Sequence, residues 1–256
     1  MRLQALGCYG GEAPGCHQTS LLVDGRLLLD AGSVTATLPL DAQAAIDQVL
    51  ISHAHLNHVA ALAFLADNLF AVRTRPIEVW SIPPVIRQLK THLFNGIIWP
   101  DFTRIPSPRN PILSLHEIRE GRPQKIGGFK VVSVRVHHTV ETAGYLVSDG
   151  ESSILFQGDS GPTDELWKVA NSAARLQAII VETSFPNRLQ DLANVSGHLT
   201  PQTLRSDLAK LRVDAPIYAQ HIKPQFLSEV VRELGWLSDP PAAPLEQGKT
   251  YTFQIP

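Results

Sequence analysis

Three histidines stand within six residues in the segment Ser52-His53-Ala54-His55-Leu56-Asn57-His58. Imidazole is the commonest side-chain metal ligand and serves zinc, iron and manganese alike. Side chains two apart share one face of an extended chain, so His53 and His55 present two imidazoles to one cation. His58 falls at the start of the next helical pattern and can turn toward a second cation beside the first. For a single histidine, a solvated loop would be the simpler reading. Three at this spacing, directly after an apolar strand, favour a metal centre with a position left open for water. Two adjacent cations clamp the attacking and leaving oxygens of an in-line displacement and lower the pKa of bound water, which suits phosphodiester hydrolysis.

The elements that must hold these residues read as short strands and helices. Strands are predicted over Arg2–Cys8, Gln48–Ser52, Ile77–Ser81, Ile112–Ile118, Phe129–Val136, Thr142–Ser148, Ser153–Gln157, Gln177–Val181, Ile217–Ala219 and Thr250–Gln254. Ser20–Val23 and Arg26–Asp30 form a hairpin around Asp24-Gly25, and Asp149-Gly150 makes another turn of that kind. Helical patterns cover His58–Asn68, Pro84–Asn95, Thr163–Ser172, Pro201–Leu211 and Gln225–Leu234. The stretch Asn95–Pro111 carries four prolines and reads as an irregular excursion. Antiparallel-looking groups of strands, each followed by strand–helix alternation, predict an α/β protein of two mixed sheets packed together with helices outside. No linker rich in Gly or Ser divides the chain, so residues 1–256 are expected to form a single domain.

Composition bounds the function. The chain has 256 residues, 44% of them hydrophobic and 18% charged, with net charge −2, the profile of a globular protein with a full core. A binder of long polyanions usually shows a basic excess. Two cysteines build no disulfide framework. The opening MRLQALGCYGGEAPG is too short and interrupted in its apolar part for a signal peptide, and no apolar run reaches the roughly 18 residues of a membrane span. A cytoplasmic protein without membrane contact is the expectation. The ten histidines are the excess to be explained.

The string His53-x-His55-x-Asn57-His58 resembles the His-x-His-x-Asp-His signature of the metallo-β-lactamase superfamily. The longer run to Leu62 resembles one branch, the class II cyclic-nucleotide phosphodiesterases. Further segments resemble that branch in the same order: Val136-His137-His138-Thr139-Val140 with Gly144-Tyr145, Gly158-Asp159-Ser160-Gly161-Pro162, Val181-Glu182-Thr183-Ser184-Phe185-Pro186-Asn187, Ser196-Gly197-His198-Leu199 and His221-Ile222-Lys223-Pro224. Gly10-Gly11 and Asp30-Ala31-Gly32 look like the superfamily's opening. The resemblance runs from near the start to Pro224, and it implies a four-layer αββα sandwich.

It also implies roles. His138 would join His53 and His55 on the first metal, with its neighbour His137 exposed or behind the ligands. Asp159 would bridge two metals, and His221 would complete the second beside His58. Zinc is the first expectation, with manganese or iron as alternatives and one or two ions bound. In related tRNA 3′-processing nucleases a Glu and a later His protonate the leaving oxygen, and Glu182 and His198 look similar. A carboxylate beside an imidazole suits a general acid near neutral pH. Glu182 capping a loop, or His198 binding only phosphate, are the plainer alternatives.

One position departs from the pattern. The family's Asp between Leu and His is Asn57 here, and an amide brings no negative charge and accepts no proton. The second site is therefore expected to be weakened. His17, His92 and His116 receive no functional role. Lys223, beside His221, can face an anionic substrate, with a surface lysine as the simpler reading; the Gly10–Gly15 loop can cradle phosphate through backbone N–H groups, with a plain turn as the simpler reading. The leading expectation is hydrolysis of a small anionic substrate, a 3′,5′-cyclic nucleotide such as cAMP or cGMP, to the 5′-nucleotide by metal-bound hydroxide. Another phosphodiesterase of the same fold, including RNA 3′-end processing, is the enzyme alternative. A metal-binding relative with lost catalysis is the other, and a homodimer stays open. Substrate choice is expected to fall to loops such as Asn95–Pro111.

Overall fold

Strands buried on both faces decide the architecture. The computed structural model describes residues 1–253. The strands of the first half are β1 (Arg2–Gly7), β2 (Ser20–Val23), β3 (Leu27–Leu29), β4 (Gln48–Leu50), β5 (Ile77–Ser81), β6 (Pro106–Ser107), β7 (Asn110–Pro111) and β8 (Leu113–Glu117). The second half supplies β9 (Gln124–Ile126), β10 (Phe129–Val136), β11 (Thr142–Ser148), β12 (Ser153–Phe156), β13 (Leu176–Glu182), β14 (Ile217–Gln220), β15 (Ala242–Pro244) and β16 (Thr250–Thr252). One sheet runs β16-β1-β2-β3-β4-β5-β8 and the other β15-β14-β13-β12-β11-β10-β9, with β6 and β7 forming a separate small ribbon. Each sheet makes three antiparallel pairings and then three parallel ones, the first counted from β16 and the second from β9. The two mixed sheets expected from the sequence are thus built on one plan.

The period of two along a strand divides the core. Ile154 and Phe156 on β12 join the large cluster between the sheets, and so do Ala178 and Ile180 on β13. Their neighbours Leu155, Ile179 and Val181 face a second cluster. That cluster includes Trp167 from α5 (Glu165–Ser172), Leu204 from α7 (Pro201–Leu208) and Val230 from α8 (Leu227–Leu234). Trp167 Nε1 donates to Asp207 Oδ2 at 2.7 Å and ties α5 to α7. On the first sheet, α1 (Val34–Thr37), α2 (Leu40–Ala44), α3 (Leu56–Leu69) and α4 (Pro83–Gln88) complete the fourth layer, with Leu62, Leu65 and Val85 fully buried. The αββα sandwich is therefore present.

The structure corrects several spans. The helix predicted over Pro84–Asn95 is α-helical only to Gln88, and Leu89–Leu93 is a π-helical turn. Pro224–Phe226 is a 3-10 turn ahead of α8 rather than its first turn. Periodicity gave no sign of α1, α2, α6 (Gln190–Ser196), β9 or β15, which are too short for a repeat to register. Gln254, at the end of the last predicted strand, lies outside the described residues.

Two buried hydrogen bonds lock the sheets together beside the histidine segment. Tyr145 Oη on β11 donates to Ile51 O at 2.6 Å, and Ala143 N donates to Ser52 O at 3.0 Å. The segment that carries the histidines is thus fixed from the opposite sheet.

Candidate metal centre

Strand ends place the chemistry. His53 follows β4, His138 follows β10, Asp159 follows β12, Glu182 ends β13 and His221 follows β14. Open α/β sheets bind ligands outside the carboxyl ends of their strands, and these five residues all lie at such ends. His55 is the N-cap of α3, whose first turn carries Asn57 and His58.

The nine residues singled out in the sequence converge. Ligand atoms of His53, His55, His138 and Asp159 lie within 4.8 Å of one another, and so do those of His58, Asp159 and His221. Asp159 belongs to both groups and is 1% exposed. Its Oδ2 lies 3.1 Å from His221 Nε2, 3.3 Å from His58 Nε2 and 3.7 Å from His53 Nε2. Asn57 Nδ2 lies 3.0 Å from His221 Nε2, so its amide faces the second group. Glu182, His198 and His221 form a third set at the same spacing. His137 is exposed, and His17, His92 and His116 lie outside all three sets.

Most of these imidazoles are held by one nitrogen and offer the other. His138 Nδ1 donates to Gly197 O at 2.9 Å, and since a carbonyl only accepts, Nε2 keeps its lone pair. His58 Nδ1 is 2.7 Å from Asp30 Oδ2, and His53 Nδ1 is 2.9 Å from Ser52 Oγ. His221 Nδ1 is 2.9 Å from Ser184 Oγ. Partners of this kind fix the tautomer and ring direction of ligating histidines. Inward, the free nitrogens crowd: His58 Nε2 and His221 Nε2 are 3.2 Å apart, His138 Nε2 and His55 Nδ1 3.3 Å.

The donor set fits a divalent cation. His53 Nε2 and Asp159 Oδ1 are buried with no hydrogen-bond partner. An unpaired buried polar atom costs about 1–3 kcal/mol, and a cation satisfies both atoms at once. Imidazole nitrogens with a shared carboxylate suit zinc, iron or manganese.

Burial and the shared carboxylate set the charges. Burial pushes the Asp159 carboxyl up, but His221 and His58 outweigh it and hold it well below the usual carboxylate range. Burial would lower His58, yet the Asp159 and Asp30 carboxylates on its two sides raise it from 6.5 to about 10. For His53 and His221 burial wins and both are pushed well down, while His138 falls to about 4. Burial lifts Glu182 against the opposing pull of His198, and the Glu182 carboxylate lifts His198 against burial. With His198 Nδ1 2.8 Å from Glu182 Oε1, the pair holds a proton between them.

Several contributors were invisible as single residues. Asp30 is fully buried and accepts from Ser52 N, Ser52 Oγ and His58, each at 2.7 Å. The sequence marked it only within Asp30-Ala31-Gly32. Ser184 Oγ reaches Glu182, His198 and His221 at once. Lys223, whose simpler reading is a surface lysine, is half-buried, and its Nζ donates to Gly10 O at 2.6 Å. Its charge opposes protonation of His55, His198 and His221, so it stands near the site. The Gly10–Gly15 loop also gains a reason. A Cβ on Gly10 would lie 2.4 Å from His221 O and 2.8 Å from its ring, so this loop passes against the ligand. His221 itself has φ 63, a left-handed conformation uncommon outside glycine and concentrated at functional sites.

Comparison with known proteins adds four likenesses. Residues 25–221 match the family described as Beta-lactamase superfamily domain. A probable 3′,5′-cyclic-nucleotide phosphodiesterase of Yersinia pestis is 27% identical over 274 residues, covering 87% of this chain and 78% of that protein. A ribonuclease Z of Archaeoglobus fulgidus is 24% identical over 229 residues, covering 68% and 71%. Among solved structures, unliganded yeast PDE1 superposes with a TM-score of 0.81 at 18% identity over 97% of this chain and 98% of that one, a likeness of fold.

Proposed function

The chain belongs to the beta-lactamase superfamily domain family, a family of metallo-hydrolases, and from that premise we propose that it is a metal-dependent phosphodiesterase that converts a 3′,5′-cyclic nucleotide to its 5′-nucleotide. The observation that carries this reading is the pair of convergent ligand groups sharing Asp159, with the Glu182–His198 pair alongside. On this reading His53, His55, His138 and Asp159 would hold a first cation, and Asp159, His58 and His221 would hold a second, with Asn57 alongside. Zinc is the first candidate. Cations there supply positive charge against the phosphodiester and lower the pKa of water.

The chain's own residues do the rest. Asp30, Ser52, Ser184 and Gly197 O hold the imidazoles by their outer nitrogens. Glu182 keeps His198 protonated and oriented, so His198 can pass a proton to the leaving 3′-oxygen as its bond to phosphorus breaks. Lys223 adds a fixed positive charge near the phosphate. The Yersinia relative supports the cyclic-nucleotide substrate.

The ribonuclease Z likeness favours a second reading, RNA 3′-end processing. The net charge of −2 weighs against it, because phosphate-backbone binding draws on a basic surface. One assay separates the two: purified protein with zinc, manganese or iron added, offered cAMP and, in parallel, an RNA with a 3′ extension. Release of 5′-AMP is expected. Cleavage of the RNA alone would replace this reading with the second, and no turnover of either with any metal would leave a metal-binding protein without catalysis.

A further inference from the structure

Beside the first ligand group, a cavity of about 350 Å³ opens between the start of α3, the end of α4 and the chain after β10. Its volume falls in the range of small-molecule sites, roughly 300–1,000 Å³. Leu56, Val59, Leu93, Ile98 and Val140 make the lining apolar, and His55 forms part of it. The cavity and the first ligand group therefore share a side chain. Leu56 and Ile98 are 69% and 64% exposed, so apolar surface is left open to solvent here.

Two features mark this cavity as more than a packing gap. Gln88 lines it, and Gln88 Oε1 is buried without a hydrogen-bond partner. A buried amide oxygen is costly unless something pairs with it, and nothing in the described chain does. Immediately after Gln88 the helix changes to the π-helical turn Leu89–Leu93, which carries His92 into the same lining. Such turns are rare and occur often at functional sites.

We propose that this cavity is a nucleobase subsite and that Gln88 reads the edge of the base; the proposal rests on the cyclic-nucleotide reading above. A nucleobase is a flat ring with apolar faces and polar edges. It calls for apolar walls and a few polar groups at the rim, which is how proteins hold an isolated base. With the phosphate at the ligand groups, the base meets the wall on the other side of His55. A turn of the Gln88 side chain brings Oε1, unpaired where it stands, to the cavity, where it accepts from the exocyclic amine of adenine as amide side chains do elsewhere. Guanine has a carbonyl oxygen at that position, which sets lone pair against lone pair, so adenine is the preferred base. His92 offers a planar ring for stacking.

The test is equilibrium binding of 5′-AMP, 5′-GMP and ribose 5-phosphate to wild type, Gln88→Met and the cavity-filling Val140→Trp. Wild type is expected to bind 5′-AMP roughly tenfold more tightly than 5′-GMP and than ribose 5-phosphate, which has no base. Gln88→Met should lose most of the preference for 5′-AMP over 5′-GMP. Val140→Trp should weaken both nucleotides, and neither variant should change ribose 5-phosphate binding. Equal affinity of wild type for 5′-AMP and ribose 5-phosphate, or an adenine preference that survives Gln88→Met, overturns the proposal. The expected binding pattern without turnover of cAMP would keep the base subsite and remove the cyclic-nucleotide reading. Turnover of cAMP with binding insensitive to both substitutions would do the reverse.

Discussion

Asp30→Asn isolates one charge behind one ligand. Asp30 Oδ1 accepts from Ser52 N, and Oδ2 accepts from Ser52 Oγ and His58 Nδ1, all at 2.7 Å. Asn has the same shape and tolerates the left-handed backbone at φ 55. Its amide keeps one acceptor, which stays with Ser52 N because a backbone N–H has no alternative role. The NH₂ then takes the place of Oδ2 and faces His58 Nδ1. Two donors cannot pair, so His58 must become the other tautomer, with Nδ1 accepting and the proton on Nε2. Nε2 is the nitrogen that faces Asp159 and His221, and a protonated nitrogen does not ligate. Loss of such an outer partner typically weakens metal binding 10–100-fold, about 1.4–2.7 kcal/mol. Competition against a chromogenic chelator measures it, with zinc or manganese added to the metal-free protein. The loss is expected in the metal equivalent that His58 holds, with the other within a few-fold of wild type. Unchanged affinity in both equivalents, in a variant with a wild-type melting curve, would refute the tautomer argument.

Other outcomes follow from the same geometry. Asn57→Asp places a carboxylate 3.0 Å from His221 Nε2, so it should tighten the second equivalent and raise phosphodiesterase rate; two tight metals and full activity already in wild type would remove the idea of a weakened site. His198→Ala should lower kcat on cyclic nucleotides about 10²–10⁴-fold while sparing bis(p-nitrophenyl) phosphate, whose leaving group departs without a proton; equal losses on both substrates would assign His198 to phosphate binding instead. Burial pushes the Cys8 thiol up to about 12, so iodoacetamide at neutral pH should label Cys16 in the native protein and Cys8 only after unfolding, as read by peptide mass. Prompt native labelling of Cys8 would contradict its burial.

How much was legible depended on whether a signal was local. Strands such as Ile77–Ser81, Phe129–Val136 and Thr142–Ser148 carried enough apolar and β-branched residues to be read with the bounds the structure has. The π-helical turn after Gln88 could not be read, since Leu89 and Leu93 satisfy an α-helical spacing as well. The two edge strands β9 and β15 are three residues each, shorter than any repeat can register. Lys223 carries two readings for a related reason: one lysine in a sequence is indistinguishable from a solvated one until the Gly10 carbonyl is seen to hold it.

Side-chain chemistry at short range belongs to the sequence. His53, His55 and His58 are ligand-like because of their spacing alone, and the apolar segments around Asp159, Glu182 and His221 already place those residues at strand ends. Assembly belongs to the tertiary structure. His58 and His221 are 163 residues apart, yet their Nε2 atoms meet at 3.2 Å because the two sheets bring the ends of β4 and β14 to one side of the sandwich. The same packing buries Asp30 behind His58 and leaves Gln88 Oε1 unpaired beside His55. Partner choice, burial and tautomer are properties of neighbours in space, and a linear pattern carries no information about which distant residue will stand at the other nitrogen.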